Sequence, residues 1–118
     1  MCQPITLNEL HIEIRKTEHE LKGGPLRLWE HIKIAPEKWK EKYYGTEGGG
    51  FWVVALLGKQ VVWYNDIEEG FNISNYTNYG EIDDYWCNQD EISWVITSLF
   101  NLIQSDTVRV SRGKPEYE

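Results

Sequence analysis

Apolar positions change their period along the chain, and the changes divide it into elements. Leu7, Leu10, Ile14 and Leu21 recur near helical spacing. They follow Thr6-Leu7-Asn8-Glu9, which has the form of a capping box, the hydroxyl accepting from the Glu9 amide while the Glu9 side chain reaches back to the cap. The run predicts a helix over 7–22, stopped by Gly23-Gly24-Pro25. A strand through HIEIR, where Ile12 and Ile14 alternate, is the competing reading. In LRLWEHIKI, residues 26–34, alternating apolar positions predict a first strand. Ala35-Pro36-Glu37 then reads as a helix start, with proline at the first helical position where its missing amide proton costs nothing. A short helix over 36–44 follows, with Trp39 and Tyr43 on one side and Lys38 and Lys42 elsewhere, ended by the run Gly45 to Gly50.

The clearest local signal is FWVVALLGKQVVWYN, two apolar runs joined by Gly58-Lys59. A two-residue loop led by glycine suits a type II′ turn and pairs Leu57 with Gln60, Leu56 with Val61, Val54 with Trp63 and Val53 with Tyr64. One face then carries Trp52, Val54, Leu56, Val61 and Trp63, the other Phe51, Val53, Ala55, Leu57, Val62 and Tyr64. Both are apolar, whereas an antiparallel sheet commonly has one wet face. Either helices cover both faces or one is left to bind something. Residues 70–76 predict a third strand with Phe71 and Ile73 on a dry face and Asn72 and Ser74 on a polar one, as suits an outer strand. A further short strand falls near 79–84.

Ile92, Val95, Ile96, Leu99, Phe100 and Ile103 trace the strongest helical stripe, and a helix bearing it packs on the hairpin. Its start reads as Asn88 with Glu91 three residues on, Asp90 and Glu91 suiting the dipole of the first turn. The tail from Thr107 is polar and expected to fray beyond Ser111. The pattern as a whole predicts an α+β domain. A small antiparallel sheet of three to four strands, built on a central hairpin, packs with an N-terminal helix, a short middle helix and a long C-terminal amphipathic helix. One domain covers 1–118, with 112–118 as frayed tail.

Charge sharpens this picture because it is unevenly spread. Residues 1–45 hold eight Lys and Arg against seven Asp and Glu, whereas 46–106 hold Lys59 alone against ten carboxylates. So acidic a segment argues against a nucleic-acid partner, since each phosphate contact needs a cation. MCQPITLNEL lacks a basic region and apolar stretch of the signal-peptide type, and no apolar run approaches the ~20 residues of a spanning helix, so no membrane association and a cytoplasmic location are expected.

Candidate chemistry is sparse. His11, His19 and His31 share no ligand spacing, there is no H-E-x-x-H, C-x-x-C or D-x-D-x-D-G, and Asp66, Glu68 and Glu69 lack the glycine and distant glutamate of a calcium loop. No metal and no cofactor are expected. Paired carboxylates for acid/base catalysis need one group with a raised pKa in a dry pocket, and turn residues are more often solvated. Cys87 stands near Asp84, Asn88 and Asp90, a setting that suppresses the thiolate, and Cys2 and Cys87 give no expected disulfide. Neither the 23–24 nor the 48–50 glycine cluster precedes a Lys-Ser/Thr, so neither cradles phosphate. The sequons at Asn72 and Asn75 overlap a predicted strand and read as chance.

Six Trp and seven Tyr exceed what a chain of this length needs. Trp52, Trp63, Phe71 and Phe100 sit at core-like positions, but Tyr76, Tyr79, Tyr85 and Trp86 fall among Asn, Asp and Glu in NYTNYGEIDDYWCNQDE. Aromatics at acidic sites are typical of binding surfaces. The expectation is therefore a non-enzymatic docking surface for a basic protein partner, made of Asp66, Glu68, Glu69, Tyr76, Tyr79, Glu81, Asp83, Asp84, Tyr85 and Trp86. Replacing Asp83 and Asp84 by lysine should slow association and leave the fold intact. In size, acidity and aromatic content the chain resembles the small cytoplasmic immunity proteins with which bacteria neutralise basic toxin enzymes. That resemblance is one of class and assigns no residue. It implies an inhibitor whose acidic patch steers toward and plugs a cationic enzyme site. The rival readings are a small ligand-binding domain or enzyme with a pocket lined by Trp52, Trp63 and Tyr64, and a homodimer joined through the doubly apolar hairpin.

Overall fold

A computed structural model describes residues 5–43 and 49–112, with side chains to Gln104 in the last helix. Element order is α1 (Leu7–Glu20), α2 (Gly23–Ile32), β1 (Lys33–Glu41), β2 (Phe51–Leu57), β3 (Gln60–Asn65), β4 (Gly70–Asn75), β5 (Glu81–Ile82) and α3 (Ile92–Arg112). The fold is α+β, with a five-stranded mixed sheet ordered β4-β3-β2-β1-β5. Neighbours are antiparallel except β1 and β5, which pair in parallel through Lys40–Glu81 and Glu41–Ile82. Of the expected tail, Arg112 closes α3, and 113–118 lie outside the described residues.

The capping box forms as expected: Thr6 Oγ1 accepts from the Glu9 amide at 3.1 Å and Glu9 Oε1 accepts from the Thr6 amide at 2.9 Å. Two expectations that follow it are reversed. Residues 26–34 are mostly helix, not strand, because Trp29 and Ile32 point inward three residues apart, a helical and not a pleated spacing. Gly23-Gly24-Pro25, expected as the stop, instead forms the first turn of α2, and α1 ends before it at Glu20 with Leu21 as its C-cap. Gly24 lets the Phe100 ring of α3 pack close against the start of α2, where a Cβ would press on Cζ and force the ring to shift. Residues 36–41 are strand, not helix. Trp39 and Glu41 are buried while Lys38, Lys40 and Lys42 are exposed, a period of two. Pro36 is tolerated because the β1–β2 register is irregular between Lys33 and Glu37, and β5 pairs only with the far end of β1. Most of the expected 45–50 stop lies outside the described residues.

The hairpin has the expected turn, but its register changes at Val54. Leu57↔Gln60 and Leu56↔Val61 hold, after which Ala55 faces Val62, Val53 faces Trp63 and Trp52 faces Tyr64, leaving Val54 as the extra residue of a bulge. Val54 and Ala55 therefore join one core, with Trp52, Leu57, Val62, Tyr64, Phe71 and Ile73 on the same side. That face packs on all three helices through Leu10, Leu21, Trp29, Ile32, Ile92, Val95, Ile96 and Leu99. The opposite face gathers Phe51, Val53, Leu56, Val61 and Trp63 around Trp39 and Ile82.

Among the described residues no helix covers this second face. It is closed by the chain itself, as residues 76–90 fold back beneath the sheet and bring Tyr76, Ile82 and Tyr85 onto it. Burying an apolar side chain contributes about 1.5–3 kcal/mol, so leaving Phe51, Val53, Val61 and Trp63 bare would forfeit an amount comparable to the net stability of a domain, roughly 5–15 kcal/mol. Both hairpin faces are thus internal, Val53, Val54, Val61 and Trp63 being fully buried.

Candidate functional site

The turn after β3 is built by one side chain. Asn65, fully buried, accepts through Oδ1 from the amides of Ile67 (2.9 Å) and Glu68 (3.2 Å), and its carbonyl accepts from the Glu69 amide. This Asx arrangement makes a tight bend of Asp66 to Glu69, in which Glu69 takes a φ of 62°. Asp66 Oδ2 accepts from the Ile5 amide at 3.1 Å and so anchors the approach to α1. Glu69 and Asp66, with Glu13 and Glu9 of α1, face Tyr64, whose hydroxyl is pushed up to about 12, first by burial and then by these carboxylates.

The other acidic group stands at the far end of β3. Asp84 Oδ1 accepts from the Asn75 amide (2.9 Å), its Oδ2 accepts from Trp86 Nε1 (3.1 Å), and Asp83 Oδ2 accepts from the Thr77 hydroxyl (2.8 Å). Asn75 pairs with Gln60, five residues from Asn65, so at about 3.3 Å per residue the two groups hang roughly 17 Å apart along the strand. Glu81 of β5, paired with Lys40, lies two residues from Asp83 and lines one depression with it, the sheet curling so that Asp83 N also reaches the Asn75 carbonyl of β4. The expected acidic residues are therefore divided between two places. Asp83 and Asp84 also hold the loop together, so a double lysine substitution there would disturb local structure as well as charge.

The aromatic residues of the loop divide too. Tyr76 donates its hydroxyl to the Gly58 carbonyl at 3.0 Å and meets Trp39 edge-on, with ring centroids 5.1 Å apart. Tyr79 covers Trp39 at 4.7 Å and donates to Glu37 Oε1 at 2.6 Å, a bond that, together with one from Trp39 Nε1, holds the Glu37 carboxyl below its ordinary range. Tyr85 lies over Trp63 and Phe51, at 6.0 and 6.2 Å. These tyrosines close the second core.

Tyr79 nonetheless stays exposed, as does Trp86, which is half exposed and whose carbonyl is held by Asn65 Nδ2 at 2.9 Å. Beyond it the chain is pinned along β4. Asn72 Oδ1 accepts from the Asn88 amide at 2.9 Å, Asn72 Nδ2 donates to the Asn88 carbonyl at 3.1 Å, and Phe71 N donates to the Asp90 carbonyl at 2.8 Å. Gly70 permits this approach, since a Cβ there would stand 2.2 Å from Cα of Gln89. Asn72 and Ser74, expected on a wet face, are buried under this segment, with Ser74 bridging Trp63 Nε1 and the Asp84 carbonyl. The pinned segment also corrects the start of the last helix. Asn88 is bonded to Asn72, and the first turn opens at Glu91, whose carbonyl accepts from Val95 N.

Between the pinned segment, β4 and α3 lies an open groove of about 280 Å³, walled by Ile73, Trp86, Asn88, Asp90, Trp94 and Ser98 among others. Trp94 is 62% exposed, the indole standing off the buried stripe of α3, and its other side borders a shallower depression with Glu20 and Glu91. Sequence reasoning passed over Trp94, yet its signal was available as a large apolar residue outside the Ile92, Val95, Ile96, Leu99 stripe. No Lys, Arg or His occurs between Lys59 and Arg109, so the groove walls carry no cation. Depressions elsewhere mix signs, one combining Lys40, Lys42, Glu81 and Asp83 and another His11, Arg15, Glu18 and Lys33. Trp52, Trp63 and Tyr64 form no common pocket, for Trp63 lies on the opposite sheet face from the other two.

Among the described residues no cluster of three or more His, Cys, Asp or Glu is placed to hold a metal ion, and no helix is long and apolar enough to cross a membrane. No protein-family model, curated protein or solved structure matches the sequence.

Proposed function

We propose that this domain is a non-enzymatic docking protein for a basic protein partner, and that the partner engages the groove between β4 and α3. The observation that carries the reading is the exposure of Trp86 and Trp94 in a groove whose walls hold Asp90 and no cation. Tryptophan is enriched among the few residues that carry most of the energy at protein interfaces, and a single-sign field speeds encounter with an oppositely charged partner. Asp84, Glu91 and Glu20 extend the negative surround on either side. The class resemblance to immunity proteins gives the reading its most specific form, in which the partner is a basic toxin enzyme whose cationic site this surface covers.

The test is capture from a lysate of the source organism at low salt, run in parallel on wild type and on a Trp86→Ala, Trp94→Ala variant, with elution at about 0.5 M salt, where screening leaves a few ångströms of reach. A basic protein held by wild type and lost by the variant supports the reading. Equal retention by both, or an eluate without a basic protein, overturns it.

A further inference from the structure

The groove wall presents a pair of backbone groups that no described residue answers. In the β3–β4 ladder, where Gly70, Asn72 and Ser74 face Asn65, Trp63 and Val61, alternate residues of β4 turn their N–H and C=O away from β3. Two of these outward positions are answered by the returning chain. Phe71 N donates to the Asp90 carbonyl, while Asn75 N donates to Asp84 Oδ1 and its carbonyl accepts from Asp83 N at 3.0 Å. Ile73 lies between them, on the wall of the groove, and its outward groups make no hydrogen bond to a described residue. An open strand edge is a template for another extended chain.

We propose that the groove takes an extended, cationic segment of the partner, which adds beside β4 at Ile73 and lays a Lys or Arg side chain against Trp86 or Trp94 within reach of Asp90. This deepens the docking reading and rests on it. The answered positions at Phe71 and Asn75 are four residues apart, roughly 13 Å, which admits about three residues of extended chain. Main-chain pairing at Ile73 fixes the register of that segment, and the indole faces supply cation–π attraction in the absence of any competing cation. A second copy of the same edge fits poorly, because it would set Asp90 and its neighbours against their own images.

The test uses two hexapeptides of alternating arginine and threonine with blocked ends, one plain and one N-methylated at its internal amides, so that charge is kept and backbone donors are lost. Affinity is followed by tryptophan fluorescence and exchange of the Ile73 amide by NMR. The plain peptide should bind, slow that exchange, and bind about tenfold more tightly than its methylated form, the scale of one or two backbone hydrogen bonds. Equal affinity for the two peptides, or unchanged Ile73 exchange at saturation, overturns strand addition. If neither peptide binds while a folded basic protein is still captured through Trp86 and Trp94, the extended mode falls and docking stands. If no basic peptide or protein is held, both fall.

Discussion

The Asn65 side-chain amide donates to the Trp86 carbonyl at 2.9 Å and ties one wall of the groove to the last residue of β3. The same side chain accepts from Ile67 and Glu68, so a single buried amide holds both the 66–69 turn and the strap formed by residues 76–90. Asn65→Ala would remove the side chain that bonds the Trp86 carbonyl and the Ile67 and Glu68 amides. At about 1–3 kcal/mol for each buried group left unsatisfied, with water able to answer some of them, a loss of about 2–4 kcal/mol is expected. Urea denaturation measures it, and a loss below about 1 kcal/mol would show that the strap does not depend on Asn65.

Glu37 joins β1 to the strap, accepting from both Tyr79 and Trp39. Its carboxyl is held low, mainly by the Tyr79 hydrogen bond and next by that from Trp39. A depressed folded pKa gives stability that is present above the ordinary carboxylate value of 4.5 and lost as pH falls through the lower folded value. Tyr79→Phe should therefore raise the Glu37 midpoint, followed by carboxyl NMR, and flatten the acid limb of stability. An unmoved midpoint would contradict the bond.

Tyr64 behaves in the opposite sense. Its hydroxyl is pushed up to about 12 from 10, so the folded state keeps a proton that the unfolded state releases earlier. The resulting stabilisation is complete below pH 10 and disappears as pH rises through about 12. Subtracting the phenolate absorbance of Tyr64→Phe from wild type should reveal one late-titrating group, and a difference midpoint near 10 would contradict the burial.

Much of the helical layer was legible because its signals are local. The Thr6–Glu9 box and the Ile92 to Leu99 stripe are written within a few turns. The exchange of strand and helix over 26–41 was not, since Leu26, Leu28 and Ile34 alternate while Trp29 and Ile32 keep helical spacing, and only packing against α3 and β2 decides between them. The covering of the second sheet face was also hidden. It depends on hydrogen bonds from Asn65, Asn72 and Ser74 to residues up to 21 positions away, and polar residues in an edge strand read as solvated until their partners are known. For the same reason the acidic residues looked like one surface, while three of them, Asp66, Asp83 and Asp84, are engaged in holding loops. Of the four loop aromatics Tyr79 and Trp86 stay exposed, but only Trp86 lines the groove, and its companion there, Trp94, comes from a helix read only for its buried stripe.

Trp94→Ala is the most direct measurement of the central claim, made as a binding constant for the captured basic partner alongside a urea midpoint. Truncating an exposed indole off the core stripe should leave stability within about 0.5 kcal/mol, while loss of an interface anchor should weaken binding about tenfold to a hundredfold. Unchanged affinity in a variant of unchanged stability would mean that the groove between β4 and α3 is not where the partner sits.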